Sequence, residues 1–192
     1  MKILEDKPDT KRPDIVRAAT SLFAERGIDR TSMRDIAEAA GVRETAIYRH
    51  FAGKDELCRE IFLSWYGWYC RELQRIVGGP RGTEDKLQEI VSHEFSAAAE
   101  HSEAFVYFCE NEARFVRSLP PKIESARRLF TAFIKSGQAQ GKVRAGSSEL
   151  LADMLSGALC AVALTWLRTG RRKKLSTQLA EVVQGCWHMI AA

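Results

Sequence analysis

Two short helical segments joined by a tight glycine turn constrain the fold of this chain most. In the first segment, Ser32 and Asp35 have the spacing of a capping box, and apolar side chains then recur at helical intervals. The second segment, residues 43–50, has one apolar side and one polar outer side. Gly41 between them suits the left-handed conformation of a sharp turn, and Val42 fills the gap between the two helices. This arrangement is typical of a helix-turn-helix.

Composition extends the helical prediction to all 192 residues. Only 5 Pro and 13 Gly interrupt long stretches of Ala, Leu, Glu, Arg and Gln, which favours helices over a turn-rich β protein. A helix is predicted from Pro13 to Gly27, and another, from Lys54, to the break near Gly78. Further helices are predicted at 83–100, 102–117, 121–140, 148–169 and 175–190. The predicted fold class is therefore all-α.

Charge and cysteine content limit the compartment and the partners. The net charge is +4, but residues 1–60 hold twelve basic and twelve acidic residues, so a DNA surface there depends on placement rather than bulk charge. Five cysteines without paired spacing are typical of a reduced, cytoplasmic protein. The most apolar stretch, Met154 to Leu167, has 14 residues and is too short to cross a bilayer. We therefore expect a cytoplasmic protein with no membrane partner.

Several motifs follow one another in order: Ala19 with Leu22-Phe23 and Gly27, Thr31 with Ile36-Ala37 and Ala40-Gly41-Val42, Ile47-Tyr48 with His50-Phe51, and Lys54-Asp55-Glu56-Leu57. In this order they resemble the N-terminal DNA-binding domain of the TetR family of bacterial transcriptional regulators. The resemblance implies a helix-turn-helix DNA-binding domain over residues 1–56. Residues 1–11 are polar and are expected to form a mobile leader. It also implies a larger helical ligand-binding and dimerisation domain over residues 57–192.

The second segment of the helix-turn-helix is predicted to contact DNA. A helix in the major groove needs exposed polar side chains on one face and an apolar anchor on the other, and residues 43–50 have both. The resemblance implies that this is the recognition helix. It also implies that Thr31, Tyr48 and Lys54 lie at positions that contact backbone phosphate.

Base contacts are predicted for Arg43, Thr45 and Arg49. An arginine can bond bidentately to guanine, and a threonine offers a hydroxyl or a methyl group. The family more often has a small hydroxyl residue near position 43, so Arg43 is expected to leave the helix without an N-cap. The predicted DNA-binding residues are Thr31, Arg43, Thr45, Tyr48, Arg49, His50 and Lys54.

Aromatic side chains are frequent on the helices that would enclose a ligand cavity of the family type. The predicted pocket residues are Trp65, Trp68, Phe105, Phe108, Glu112, Phe115, Phe133 and Trp166. An ordinary helical core is the alternative interpretation for most of them. Glu112 lies between Phe108 and Phe115 on one helix face, which suits a lipophilic cation. A salt bridge to Arg114 or Arg128, or simple exposure, is the alternative.

The last two predicted helices carry more apolar surface than one side of a helix needs. The resemblance implies that they form a four-helix bundle with the same helices of a second subunit. The predicted dimer-interface residues are Leu155, Val162, Trp166, Val183 and Trp187. Burial within a single subunit is the alternative.

No pattern in the sequence indicates catalysis. The four histidines lack metal-ligand spacing, and the sequence has no nucleophile elbow, P-loop or dinucleotide fingerprint. We therefore expect no metal, no cofactor and no enzymatic activity. The predicted function is a ligand-responsive, homodimeric transcriptional regulator, a repressor that leaves a pseudo-palindromic operator in double-stranded DNA when a small lipophilic effector binds. The alternative is a helical small-molecule-binding protein with no operator.

Overall fold

The computed structural model describes residues 11–170 and 174–192, and this part of the chain is all-α, as predicted. Its α-helices are α1 (Arg12–Arg26), α2 (Met33–Ala39), α3 (Glu44–Ile47), α4 (Lys54–Gly78), α5 (Thr83–Glu100), α6 (Ser102–Phe115), α7 (Ala126–Ala139), α8 (Ser148–Arg168) and α9 (Leu179–Ile190). Short 3₁₀ segments follow α6 and precede α9. Within the described residues, pairing of the β type is limited to one isolated bridge between Val143 and Ala191. Apart from Lys11, the predicted leader lies outside the described residues.

The local signals around α1 and α2 act as predicted. A proline occupies the first turn of α1, where its missing N–H costs nothing, and Gly27 ends the helix with φ 81°. Ser32 caps α2: its Oγ accepts from the Asp35 backbone N–H at 3.1 Å, and the Asp35 carboxylate accepts from the Ser32 backbone N–H at 2.7 Å. Gly41 then turns the chain with φ 64°.

The third helix is shorter than predicted. The sequence indicated residues 43–50, whereas α3 spans only Glu44–Ile47 and the next three residues form turns. Arg43 is the N-cap, with φ −75° and ψ 145°, and its side chain makes no capping bond. The expected absence of a side-chain cap at Arg43 is confirmed. A single uncapped turn has little stability of its own, so tertiary contacts set its limits.

The chain divides into two compact units, and α4 contributes to both. The first unit contains the described residues up to Gly67 together with Glu103–Ser118. The second contains Trp68–Ser102 and the described residues from Leu119 onward. These units are defined by packing, whereas the predicted limits 1–56 and 57–192 are defined by function and remain a prediction.

In the first unit, α6 packs against α1 and α4. The ring of Tyr107 stacks on Phe23 with centroids 5.6 Å apart, and its hydroxyl donates to the Cys58 carbonyl at 2.8 Å. At the other end of α6, the Arg59 guanidinium donates to the Ser118 carbonyl at 3.0 Å. Tyr107 is buried. These contacts join α6 to α4 and to the three-helix head, defined as α1, α2 and α3, in one packed unit.

In the second unit, α5 packs against both α8 and α9, while α7 lies along α8. Leu87, Ile90 and Leu159 are among the buried core residues. Gly137 on α7 meets the loop that follows, because a Cβ atom there would lie 2.4 Å from Val143 Cγ2. This close approach explains why a glycine occupies the last turn of α7.

Helices α8 and α9 leave much apolar surface uncovered. Among the described helices, α8 is long and apolar enough to cross a membrane, a property that core helices of soluble proteins share. Its most apolar stretch, of 18 residues, is thus longer than the 14 residues identified from the sequence. Only 28% of the residues in this stretch are buried. Leu150 and Met154 are 61% and 40% exposed. In α9, the buried residues are Cys186 and Ile190.

Candidate DNA interface and ligand site

The outer side of α3 presents polar side chains over a buried anchor. Ile47 is completely buried, whereas Arg43, Thr45 and Arg49 are exposed and Tyr48 is 51% exposed. The arrangement matches the requirement of a recognition helix for an apolar inner face and free outer side chains. Their contacts with bases and phosphates remain a prediction.

His50, Arg30 and Arg34 complete this surface. The His50 ring is half-buried, 6.4 Å from the ring of Phe51. Arg30 and Arg34 are exposed beside α2. The pKa of the Asp35 carboxyl is lowered, chiefly by the hydrogen bond from the Ser32 side chain, so the cap stays ionised. The exposed side chains therefore include Arg34 of α2 and Arg43 and Arg49 on either side of α3.

The remaining two predicted DNA-binding residues are Thr31 and Lys54. Thr31 belongs to the turn between α1 and α2, residues 27–31, which we call the α1–α2 corner. Lys54 packs against this corner from the start of α4. Thr31 is 1% exposed, and its hydroxyl donates to the Gly27 carbonyl at 2.9 Å. The prediction that this hydroxyl contacts phosphate is wrong for this structure, because the group is buried and already bonded. The Lys54 ammonium donates to the carbonyls of Ile28 at 2.9 Å and Thr31 at 3.0 Å.

Five of the eight predicted pocket residues come together in the first unit. They are Trp65, Phe105, Phe108, Glu112 and Phe115. The Trp65 ring lies 4.8 Å from that of Phe108 and 6.1 Å, edge-on, from that of Phe105. Phe115 packs on the ring of Phe62 at 5.0 Å. These four aromatic residues are buried, so in this unit they form a packed aromatic core.

The other three predicted pocket residues, Trp68, Phe133 and Trp166, belong to the second unit. Phe133 is buried in the core of α7, Trp166 is half-buried on α8, and Trp68 lies edge-on to the ring of His101 at 5.3 Å. A role for all eight residues around one ligand stays a prediction.

Glu112 is neither exposed nor paired with an arginine. Its carboxylate accepts a hydrogen bond from the Tyr66 hydroxyl at 3.3 Å, and burial raises its pKa. Arg114 pairs instead with Asp29 and Asp55 at 3.7 and 3.3 Å. In the part of the chain that the structure describes, no cationic side chain lies within salt-bridge distance of this carboxylate.

A polar cluster in the second unit was not predicted. The buried Tyr69 hydroxyl donates to the buried Glu94 carboxylate at 2.6 Å. His93 stacks on Tyr69 at 4.8 Å, and its Nε2 lies 3.1 Å from the Tyr69 carbonyl; burial lowers its pKa. Glu94 follows Leu87 and Ile90 at helical spacing, so a carboxylate on an apolar stripe was the signal available in the sequence.

Each of the two units has a surface hollow, and neither hollow is lined by the predicted pocket residues. An apolar groove of about 310 Å³ lies between α5 and α9 and is lined by Leu87, Val183 and Trp187 among others. A polar hollow of about 430 Å³ in the first unit lies between the α1–α2 corner and Asn111 of α6. Across residues 11–170 and 174–192, no group of three potential ligands could hold a metal ion.

Among the predicted dimer-interface residues, Leu155 requires a correction. It is completely buried inside its own unit, so a second subunit cannot reach its side chain. Val162, Trp166, Val183 and Trp187 are each half-buried on the single chain. Their contact with a second subunit remains a prediction.

Comparison with known proteins gives a family match over the N-terminal helices. The sequence profile described as "Bacterial regulatory proteins, tetR family" matches residues 15–61. The HTH-type transcriptional repressor KstR2 of Mycolicibacterium smegmatis is 27% identical over 144 residues, which cover 72% of this chain and 70% of the relative.

Solved structures match the fold over almost the whole chain. The ketosteroid transcriptional regulator KstR2 of Mycobacterium tuberculosis has a TM-score of 0.80 at 21% identity, covering 97% of both chains. The transcriptional regulator FadR of Bacillus subtilis, solved in complex with stearoyl-CoA, has a TM-score of 0.75 at 18% identity and covers 93% of this chain and 99% of its own. The helix-turn-helix head thus resembles that of the tetR family of bacterial regulatory proteins, and the all-α fold of the chain is similar to the folds of KstR2 and FadR.

Proposed function

We propose that this protein is a homodimeric transcriptional repressor that a small lipophilic effector releases from its operator. The observation that carries the proposal is α3, whose outer polar side chains are free while Ile47 fixes its inner side in the core. An exposed polar face on a helix-turn-helix is the geometry for reading base edges in the major groove. The tyrosine and arginines of this face supply donors for phosphates and for guanine.

The second subunit is proposed to cover the apolar surface of α8 and α9. Leu150 and Met154 are exposed, and Val162, Val183 and Trp187 are only half-buried. A four-helix bundle made by these two helices from each subunit would bury them. Two heads in such a dimer would enter successive major grooves roughly 34–36 Å apart, so we expect a pseudo-palindromic operator.

The effector is proposed to be lipophilic. FadR of Bacillus subtilis was solved with stearoyl-CoA, and KstR2 is described as a ketosteroid regulator, so both relatives point to largely apolar molecules. The aromatic residues of this chain suit such ligands, and a few polar groups such as Glu94 and Tyr69 would orient them. Stearoyl-CoA is therefore the first probe to test. Effector binding would favour a state of the dimer with the wrong half-site spacing.

Selection of bound fragments from random DNA tests the proposal. We expect enrichment of an inverted repeat, with an affinity that falls steeply as salt rises. Fluorescence anisotropy on the selected site then measures release by stearoyl-CoA, with CoA alone as the control for the head group. Binding of stearoyl-CoA without any selected DNA sequence would support the alternative, a helical small-molecule-binding protein with no operator.

The protein is further proposed to act in the cytoplasm, without a membrane partner, a cofactor or catalysis. The TetR family is regulatory, and DNA is its site of action. Mass spectrometry of the bound effector after prolonged incubation checks the last point. Recovery of a chemically altered effector would indicate an enzyme instead.

A further inference from the structure

Glu44 is an acidic side chain on the surface that is proposed to meet DNA. It is the first residue of α3, and it is exposed together with its neighbours Arg43 and Thr45. In helix-turn-helix proteins, the N-terminal residues of the recognition helix contact base edges. On an operator, the Glu44 carboxylate would therefore lie where the DNA sequence is read.

Within the part of the chain that the structure describes, the Glu44 carboxylate has no bonding partner. Asp35 differs in this respect, because its carboxylate accepts hydrogen bonds from the Ser32 backbone N–H at 2.7 Å and from the Ser32 hydroxyl at 2.6 Å. Helix α3 has only four residues, so its dipole stabilises an acidic side chain little. Neither a capping box nor an ion pair therefore accounts for the charge of Glu44 among the described residues.

A carboxylate in the major groove is restricted in the base edges that it can meet. Guanine O6 and N7, adenine N7 and thymine O4 are acceptors, and the donors are the amino groups of cytosine and adenine. At an A·T pair, the adenine amino group lies between two acceptors, adenine N7 and thymine O4. At a C·G pair, the cytosine amino group has acceptors on one side only. A carboxylate therefore fits cytosine better than any other base.

The arginines near Glu44 favour the same base pair. Arg43 and Arg49 are exposed, and an arginine can bond bidentately to O6 and N7 of guanine. A C·G pair offers these acceptors to a guanidinium and its cytosine amino group to a carboxylate. A surface that carries both charges is therefore more complementary to C·G pairs than to A·T pairs.

We propose that Glu44 is a specificity-determining residue: its carboxylate accepts a hydrogen bond from the 4-amino group of one cytosine in each half-site of the operator. The same carboxylate rejects thymine at this position, because thymine presents the acceptor O4 and a methyl group instead of a donor. This inference rests on the proposed operator binding and adds to it the base that one side chain selects.

Parallel selections from random DNA test the inference with the full-length protein. The wild type is compared with Glu44→Ala and with the control Glu38→Ala, which removes another exposed carboxylate, on α2, and changes the net charge equally. We expect the wild type and the control to enrich a cytosine at one symmetric position of each half-site. Glu44→Ala should enrich the same inverted repeat with that position open to all four bases.

A third variant, Glu44→Gln, distinguishes base reading from a structural role. A glutamine bonds bidentately to N6 and N7 of adenine. We therefore expect the selected base to change from cytosine to adenine, while the rest of the repeat stays the same. A side chain that only stabilised α3 would not exchange one selected base for another.

Fluorescence anisotropy on the selected operator measures the size of the effect. Replacing the C·G pair by T·A in both half-sites should weaken wild-type binding about hundredfold, or about tenfold for each half-site. The same replacement should weaken binding of Glu44→Ala by less than about threefold. On a duplex of unrelated sequence, Glu44→Ala should bind more tightly than the wild type, because a charge that the phosphates repel has been removed.

Three results would overturn the inference. They are a wild-type base preference that Glu44→Ala keeps at every position, a base other than cytosine at the position that Glu44→Ala relaxes, and an equal loss of affinity for all sequences. The last result, together with a lower urea midpoint of the variant, would assign Glu44 to the stability of α3. If Glu44→Ala does not fold, the base selected by Glu44→Gln decides alone. Failure of the wild-type protein to select any operator would instead contradict the proposed function.

Discussion

The three-helix head and the pair α8–α9 differ in how far their apolar side chains are buried. In the head, Ile36, Ile47 and Phe51 are almost completely buried, and the residues left outside are mostly polar. In α8, by contrast, only 28% of the residues in the most apolar 18-residue stretch are buried, and Leu150 and Met154 are exposed. A surface that contacts DNA is polar and basic, whereas the core of an interface between subunits is apolar. The two parts of this one chain are therefore suited to different kinds of partner.

The strongest change is expected from a charge on the exposed side of α8. Ala161→Glu places a carboxylate on the surface proposed to meet the second subunit, where it would be buried without a partner. We expect dimerisation to weaken at least about hundredfold, since an uncompensated buried charge costs about 3–5 kcal/mol. Analytical ultracentrifugation measures this, with Ala132→Glu on the exposed side of α7 as the matched control. A dimer as tight as the wild type would mean that α8 does not form the interface.

A second prediction contrasts a glycine that has no space for a Cβ atom, Gly137, with one that has free space around it, Gly157. Gly137→Ala would place a Cβ 2.4 Å from Val143 Cγ2, so we expect a decrease of about 1–3 kcal/mol in the free energy of unfolding. Gly157→Ala on α8 meets no atom within 4 Å and should gain up to about 1 kcal/mol through helix propensity. Urea unfolding in the Ala161→Glu background measures both without the contribution of dimerisation. Equal effects would show that α7 is less tightly packed than described.

A third prediction concerns how firmly α6 is held in the first unit. Tyr107→Phe removes the hydrogen bond to the Cys58 carbonyl and should lower the free energy of unfolding by about 1 kcal/mol. The matched control is Tyr48→Phe, which changes an exposed hydroxyl and should leave stability unaltered. Thermal or urea unfolding suffices. Two equally stable variants would show that this bond does not hold α6.

The weakest change predicted is the pH dependence due to Glu112. Its pKa in the folded protein is raised by burial, so the folded state binds the proton more tightly than the unfolded chain. Its contribution to stability is therefore fully present below the ordinary pKa of a glutamate and disappears as pH rises through the raised value. We expect Glu112→Gln to be more stable than the wild type at neutral pH, with the advantage disappearing as pH falls. Urea midpoints between acidic and neutral pH check this, and a constant difference would contradict it.

Local features of the head could be predicted from the sequence because they depend on neighbouring residues. The capping box at Ser32 and the positive φ angles of Gly27 and Gly41 follow from spacing and residue type alone. The anchoring of α3 through Ile47 follows from helical periodicity. The end of α3 did not, because tertiary contacts rather than local propensity determine how far a single turn extends.

Contacts between distant segments could not be predicted in this way. The bonds from Lys54 to the α1–α2 corner and the stacking of Tyr107 on Phe23 join residues far apart in sequence. Leu155 was placed on the wrong side of α8 because that helix is apolar around most of its circumference, so periodicity does not reveal which side faces inward. The predicted pocket residues lie in two different units for a similar reason. Aromatic content indicates which side chains tend to be buried, but it does not indicate which helices they pack against.

The brevity of α3 has a consequence for how operator preference can change. One helical turn contributes almost nothing to the stability of the head, which depends on Ile47 and Phe51 beneath it. The outward side chains at positions 43, 45 and 49 can therefore be exchanged with little effect on folding. A few surface substitutions in the head would thus change the DNA sequence that the protein prefers, while the packing of its interior stays the same.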